Sequence, residues 1–147
     1  MDKQLAAIEL LEGRIRKWTL PALALPLPGS APRLKRLKLP QGELAHIYDG
    51  PNGIQYIAFL ELLGNGVRGN HFHRHKQEYI YLSSGEVEFY VVLPGIEPRE
   101  QFLLRAGELA FIDCGVAHAF KTVQPGHAIE FSAARFDAVD TYPFAVM

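Results

Sequence analysis

The sequence is poor in cysteine, in net charge and in long apolar segments. A single cysteine, Cys114, among 147 residues excludes an internal disulfide framework and fits a reducing cytoplasm. The net charge is -1 with six histidines counted as neutral, so no overall field draws the chain to nucleic acid or to a membrane surface. No apolar run approaches the ~20 residues of a transmembrane helix, and the N-terminus, with Asp2 and Glu9, lacks the apolar segment of a secretory signal. These absences predict a cytoplasmic protein with no nucleic-acid or membrane partner.

The chain is nevertheless rich enough in apolar residues to build one domain. Hydrophobic residues make up 48% of the sequence, which indicates a globular protein with a proper core. Short alternating segments, such as the one in which Val87, Phe89 and Val91 share a face, recur between Gly- and Pro-containing turns. This pattern predicts an all-β fold, a sandwich or a barrel.

A histidine-rich stretch carries the strongest chemical signal. In an extended strand His71 and His73 point to the same face, and the carboxylate of Glu78 follows closely, while His118 lies downstream. Imidazole nitrogen and carboxylate oxygen are ligands of divalent first-row metals. The bland alternative is a polar core, but four unrelated buried groups would each cost about 1–3 kcal/mol if unpaired. We therefore predict a site for iron, manganese, nickel, cobalt or zinc.

Two motifs with fixed spacing carry a family resemblance. The segments concerned are His71-x-His73-x4-Glu78-x6-Gly85 and Gly107-x5-Asp113-x-Gly115-x2-His118. They resemble the first and second motifs of the cupin superfamily. Asp113 stands where the family usually has proline and Thr122 where it usually has asparagine, and neither departure touches a ligand position. The resemblance implies a double-stranded β-helix, the cupin or jelly-roll barrel, over residues 43–135, with the four metal ligands in its interior.

The flanking segments have different patterns. Leu5, Ile8 and Leu11 recur at helical spacing and Gly13 can end a helix, which predicts a short N-terminal helix. The prolines that follow favour an extended arm. We expect residues 1–42 to pack as helix and arm on the barrel or on a dimer partner, and residues 136–147 to form a C-terminal tail of the same single domain. Family members often pair through such arms, so the resemblance implies a homodimer.

Several residues remain open to more than one interpretation. The basic cluster at residues 33–38 is a solvated edge strand or a contact for an anionic substrate such as a phosphate. His75 shares the strand parity of the first two histidines, which makes it a substitute ligand, a hydrogen-bonding support for a ligand or a rim residue. Phe120 and Thr122 share the parity of His118 and are predicted to line the pocket. No catalytic base can be named from the sequence.

A second, local resemblance bears on the substrate. Residues 136–144 resemble the tail of cupin domains that act on nucleotide-linked deoxysugars in capsule and surface-polysaccharide synthesis, and residues 69–73 match their Gly-Asn-His-x-His. This resemblance implies a metal-dependent isomerase or epimerase of a small keto-sugar. The same ligand set would also serve a metal-dependent dioxygenase. Because fold does not imply function, a non-enzymatic sensor or small-molecule binding module is a further alternative.

Overall fold

The computed structural model describes residues 5–147, and this part of the chain is almost entirely β-structure. Two single 3-10 turns accompany the strands, at Leu11–Gly13 and Ala138–Asp140. The strands in chain order are β1 (Ile8–Leu10), β2 (Ile15–Thr19), β3 (Ala22–Leu23), β4 (Lys35–Leu39), β5 (Gly42–His46), β6 (Tyr56–Leu62), β7 (Val67–Phe72), β8 (Glu78–Leu93), β9 (Ile96–Arg105), β10 (Glu108–Ile112), β11 (Ala117–Ser132) and β12 (Tyr142–Pro143). No helix within the described residues is long and apolar enough to span a membrane.

The predicted N-terminal helix is wrong over residues 5–12, and residues 2–4 lie outside the described residues. Ile8–Leu10 is instead a strand that pairs with β2, with Leu10 opposite Ile15. The connecting turn has positive φ at Leu11, Glu12 and Gly13, with values of 49°, 56° and 83°. Such values are those of a tight hairpin turn and not of a helix, and glycine adopts them at no steric cost. Pairing of Ile8–Leu10 with the sheet therefore overrides the helical spacing of Leu5, Ile8 and Leu11.

Two long strands organise the main sheet. β8 and β11 run antiparallel to each other, while β8 also pairs with β10 and then β9, and β11 with β7 and then β6. The register of the β8–β11 pair shifts around Gln124. Gly85 has a φ of 88° there, and a Cβ added to Gly126 would clash with the carbonyl oxygen of Ser84. These irregularities let both strands bend, so that their two halves enclose one core.

The enclosed core is apolar and lies directly beneath the histidine cluster. It joins side chains of both halves, among them Ile80 and Ile112 with Phe89, Leu104 and Phe120. The fold is thus a jelly roll, but the predicted closed barrel is wrong. The hydrogen-bonded path of the described strands begins at β1 and ends at β12, and these two do not pair, so the sheet stays open.

A second, smaller sheet covers the outer face. It consists of β3, β4 and β5. Trp18, Leu20 and Leu34 pack there in one apolar cluster with Tyr81, which is separate from the interior core. The basic cluster of residues 33–38 lies on this covering sheet. Its Arg36 pairs with Glu43, and neither residue lines the histidine-containing cavity described below.

One edge of the main sheet remains open to solvent. Among the described strands β6 pairs only with β11. Its inward side chains, such as Tyr56, are partly covered, whereas Ile57 and Phe59 are 70% and 69% exposed. The ring of Phe59 stacks on His127 of the neighbouring strand, with 5.3 Å between centroids. This strand therefore presents a cavity-facing side and an apolar solvent-facing side.

Candidate metal and substrate site

The three histidines of the two motifs meet at one end of the jelly roll. His71 lies near the end of β7 and His73 just beyond it, and the pairing of β7 with β11 places His118 directly opposite His71. The ring centroid of His71 lies 4.8 Å from that of His73 and 4.9 Å from that of His118. One ring nitrogen from each histidine lies within 4.8 Å of the others, close enough to share a single ion.

Glu78, the first residue of β8, completes the cluster. Its side chain is buried, with Oε1 3.2 Å from Nε2 of His73 and Oε2 3.0 Å from Nε2 of His118. The structure thus brings together all four side chains that the sequence singles out as metal ligands. β7, the loop that follows it and the start of β8 supply three of them, and β11 supplies His118 from between the two strands.

The outer nitrogens of two imidazoles fix the orientation of the rings. Nδ1 of His73 lies 2.8 Å from the carbonyl oxygen of Asp140, and Nδ1 of His118 lies 3.0 Å from that of Val116. A carbonyl oxygen can only accept, so each Nδ1–H donates and, in the neutral ring, leaves the Nε2 lone pair directed at Glu78. This is the arrangement in which histidines bind metals in proteins.

The inner nitrogen of His73 provides a test of whether a cation fits. Nε2 of His73 is buried and makes no hydrogen bond of acceptable geometry within the described residues, although the Glu78 carboxylate is only 3.2 Å away. A lone pair and a carboxylate repel at that distance unless a proton or a metal ion lies between them. A site with three inward nitrogens and one carboxylate therefore suits a divalent ion.

The ionisation states of His71 and Glu78 agree with such an ion, whereas the Glu78 carboxylate raises the pKa of His73 against the effect of burial, so that a metal ion and a proton compete for its Nε2. Burial, together with the neighbouring His118 and His73, lowers the pKa of His71 to about 4, so this imidazole is neutral at neutral pH. Burial opposes ionisation of Glu78, but its contacts with His118 and His73 and the nearby Lys76 charge hold its pKa well below the usual range. A neutral imidazole and an ionised carboxylate are the forms that bind metal.

Two further charged residues belong to the site and were missed by the sequence prediction. Lys76 is only 6% exposed, and its Nζ lies 3.0 Å from Oε1 of Glu78 and 3.2 Å from Oε1 of Glu130. The ammonium group also lies 4.3 Å from the ring centroid of Tyr56. Burial and the Glu78 charge raise the pKa of Glu130. Strand parity with His118 could not indicate Glu130, because the register of β11 shifts between Thr122 and Ala128.

The cluster opens into a cavity of about 550 Å³. This volume lies within the range of small-molecule sites. One wall is charged and carries the histidines, Lys76, Glu78 and Glu130, and the floor is apolar, with Phe89 and Phe120. Phe120, one of the residues proposed for the pocket, is among the lining residues.

The other two residues proposed for the pocket have different surroundings. His75 lines a separate cavity of about 220 Å³ with Tyr48 and Tyr79. Thr122 is buried and its backbone N–H donates to the carbonyl of Gly66. Neither residue is among those that line the larger cavity in the described part of the chain.

The C-terminal strap, residues 136–146, forms the remaining wall. Phe136, Ala138 and Thr141 line the cavity. The ring of Tyr142 stacks on Phe72 at 5.2 Å, which fastens the strap to β7 next to the histidines. The stretch that the sequence links to sugar-modifying proteins is therefore part of the site.

Comparisons with known proteins agree on the fold. The family profile described as "Cupin domain" matches residues 58–132. No curated protein sequence matches the chain.

Three of the similar solved structures illustrate the range of likeness. The WlaRB TDP-quinovose 3,4-ketoisomerase from Campylobacter jejuni has a TM-score of 0.65 and 16% identity, and the match covers 75% of this chain and 88% of that one. The dTDP-4-dehydrorhamnose 3,5-epimerase from Bacillus anthracis, with TDP and PPi bound, has a TM-score of 0.67 and 14% identity over 93% and 82% of the two chains. The rmlC epimerase from Mycobacterium tuberculosis has a TM-score of 0.70 and 14% identity over 94% and 72%. At such identities these likenesses show a shared fold.

Proposed function

This chain belongs to the cupin domain family, and from that premise we propose that it is a metal-binding enzyme that isomerises or epimerises a small keto-sugar. The observation that carries the proposal is the composition of one cavity wall. A candidate metal site and a buried lysine–carboxylate pair lie side by side there, facing a space of about 550 Å³. The neighbouring folds named as sugar ketoisomerases and epimerases support the choice of substrate class.

Four residues would hold the metal: His71, His73, Glu78 and His118. Two of the imidazoles are already turned by backbone carbonyls so that Nε2 faces the shared centre. A bound divalent ion supplies Lewis-acid polarisation of an oxygen atom. The remaining chemistry is performed by the protein's own side chains.

Glu130 is our proposed base. Its carboxylate lies on the cavity wall, and the ammonium group of Lys76 holds it from behind. In a keto-sugar the carboxylate takes the proton from the carbon next to the carbonyl, and the C–H electron pair forms a carbon–carbon double bond while the carbonyl oxygen becomes an enolate. Delivery of a proton from solvent to the opposite face of that carbon, with Glu130 releasing the proton it took, gives an epimer. For an isomer, Glu130 returns its proton to the former carbonyl carbon, while the hydroxyl proton of the neighbouring carbon moves to the former carbonyl oxygen, so that the keto and hydroxyl groups exchange places.

Lys76 and the apolar floor would support this step. A positive charge fixed in a poorly solvated wall stabilises the negative charge that develops on the enolate oxygen. Phe89 is fully buried and Phe120 is 7% exposed, so the floor limits access of water to the intermediate.

The test is incorporation of solvent deuterium. A TDP-linked 4-keto-6-deoxyhexose is incubated with the protein in D2O, and the protons next to the carbonyl are followed by NMR. We expect exchange that falls by ~100-fold or more in Glu130→Gln, the usual range for loss of a general base. Glu61→Gln is the matched control, since Glu61 is exposed on the neighbouring strand β6. No exchange across a panel of keto-sugars by a metal-loaded protein would defeat the isomerase proposal and leave metal binding intact.

A further inference from the structure

A single acidic side chain of the C-terminal strap holds the backbone of the loop between β7 and β8. Asp140 is 7% exposed. Its Oδ1 accepts a hydrogen bond from the N–H of Arg74 at 2.9 Å, and its Oδ2 accepts from the N–H groups of His75 and Lys76, each at 3.1 Å. Three consecutive amides that belong to no strand thus share one carboxylate.

The backbone of the same residue acts on a histidine. The carbonyl oxygen of Asp140 accepts from Nδ1 of His73 at 2.8 Å. Asp140 therefore contacts the start of the loop through its carbonyl oxygen, at His73, and the middle of the loop through its carboxylate, at the amide of Lys76. The loop ends at Glu78, so every residue that it contributes to the cavity wall lies within two positions of a hydrogen bond to Asp140.

The strap that presents Asp140 forms a defined turn before it and is anchored to the rest of the protein beyond it. Asp137 begins the 3-10 turn Ala138–Asp140 by accepting from the N–H of Val139 at 3.0 Å. Beyond the turn the guanidinium of Arg74 lies 4.5 Å from the ring centroid of Tyr142. The N–H of Phe144 donates to the carbonyl of Asn70 at 2.8 Å. The carboxylate is therefore held in place against the loop.

We propose that Asp140 is a positioning residue that acts from the C-terminal strap, and that its carboxylate and carbonyl set where His73, Lys76 and Glu78 project into the cavity. No strand within residues 5–147 pairs with residues 74–77, so without this carboxylate the amides of the loop would have to find water or rearrange. A rearranged loop would move His73 at its start, Glu78 just after its end and Lys76 between them. In so far as it concerns metal affinity, this inference rests on the proposed function.

The variant to test is Asp140→Asn, with Asp137→Asn as the matched control. Both replace an aspartate of the same turn by its neutral isostere, but Asp137 bonds only within the turn and is exposed. Amide hydrogen exchange of residues 74–76 is measured on the metal-free protein. We expect exchange there to accelerate at least ~10-fold in Asp140→Asn and less than ~2-fold in Asp137→Asn. Equal exchange in both variants would overturn the inference.

Metal affinity gives a second readout. Titration with Zn²⁺ against a competing chelator, and the visible spectrum of the Co²⁺ form, report the arrangement of the site. We expect Asp140→Asn to bind Zn²⁺ about 10–100-fold more weakly, the usual range when a contact that supports the ligands is lost, because the freed loop would displace His73 and Glu78. We also expect the Co²⁺ spectrum to change. An unchanged affinity and spectrum, with only the melting temperature lowered, would show a merely structural role and overturn the inference.

Failure of metal binding and failure of the variant to fold have separate consequences. If the unaltered protein binds neither metal, the metal proposal fails, while hydrogen exchange still decides the role of Asp140. If Asp140→Asn does not fold, the unaltered protein is examined by long-range ¹H–¹⁵N NMR. Protonation of His73 at Nδ1 together with slow exchange of the three amides supports the inference, and protonation at Nε2 alone overturns it.

Discussion

Replacement of Lys76 by methionine tests the electrostatics of the site most directly. Methionine keeps the length and the apolar stem of lysine but removes its charge. The side chains of Lys76 and Glu78 are 7% and 9% exposed, and that of Glu130 is 20% exposed. Loss of the ammonium group would leave two carboxylates on one poorly solvated wall with no cation provided by the protein between them.

The expected loss of stability can be worked from these values. Removing one partner of a buried ion pair costs about 3–5 kcal/mol because the other charge stays buried and unpaired. For a domain of this size each kcal/mol lowers the melting temperature by about 2–4 °C, so we expect a decrease of roughly 10 °C. A divalent ion that binds the same carboxylate can replace the missing charge. At a metal concentration 100 times Kd the recovery is about 2.7 kcal/mol.

Urea unfolding of the metal-free protein, with and without added Zn²⁺, measures the loss of unfolding free energy and its recovery on metal binding. A thermal melt measures the decrease in melting temperature. Lys121→Met is the control, because Lys121 lies 3.8 Å from Glu88 on the surface with 43% of its side chain exposed. A pair of that kind contributes at most about 1 kcal/mol. The double variant Lys76→Met/Glu130→Gln should regain part of the loss. The reasoning is refuted if Lys76→Met is no less stable than Lys121→Met, or if Zn²⁺ stabilises Lys76→Met no more than it stabilises the unaltered protein.

The remaining predictions concern the metal and the bend in the sheet. Protein purified without a polyhistidine tag should contain a divalent metal by ICP mass spectrometry, and the His71→Ala/His73→Ala pair should contain none; equal metal in both samples would contradict the ligand assignment. Gly126→Ala should lower the free energy of unfolding by about 3 kcal/mol or more, because its added Cβ would clash with the carbonyl oxygen of Ser84 in the neighbouring strand. Gly29→Ala, with no atom within 4 Å of the added Cβ, is the control in the same denaturation assay, and a similar result for both variants would show that the bend tolerates a side chain.

The part of the site that the sequence could predict depends on local spacing. The alternation of a strand is enough to place His71 and His73 on one face, and the family motifs add Glu78 and His118. These four side chains do meet in the structure. Local periodicity and two motifs with fixed gaps are enough to propose these four ligands, even when the pairing of the strands is unknown.

The rest depends on long-range pairing and could not be predicted. Glu130 reaches the cavity because β11 pairs with β8 beyond the irregular register near Gln124, where it lies opposite Ile80. No local pattern gives that register. The N-terminal helix failed for a similar reason, since Leu10 forms a strand by pairing with β2. An open sheet and a closed barrel share the same strand pattern, so closure could not be read from alternation either.

The open strand β6 has a practical consequence for anyone who engineers this protein. Tyr56 helps to line the cavity, while its neighbour Ile57 points to solvent from the same backbone. Charged residues introduced at the solvent-facing positions would reduce aggregation through edge-to-edge strand pairing between molecules. The solvent-facing surface and the cavity lining can thus be altered at alternate positions of a single strand of seven residues.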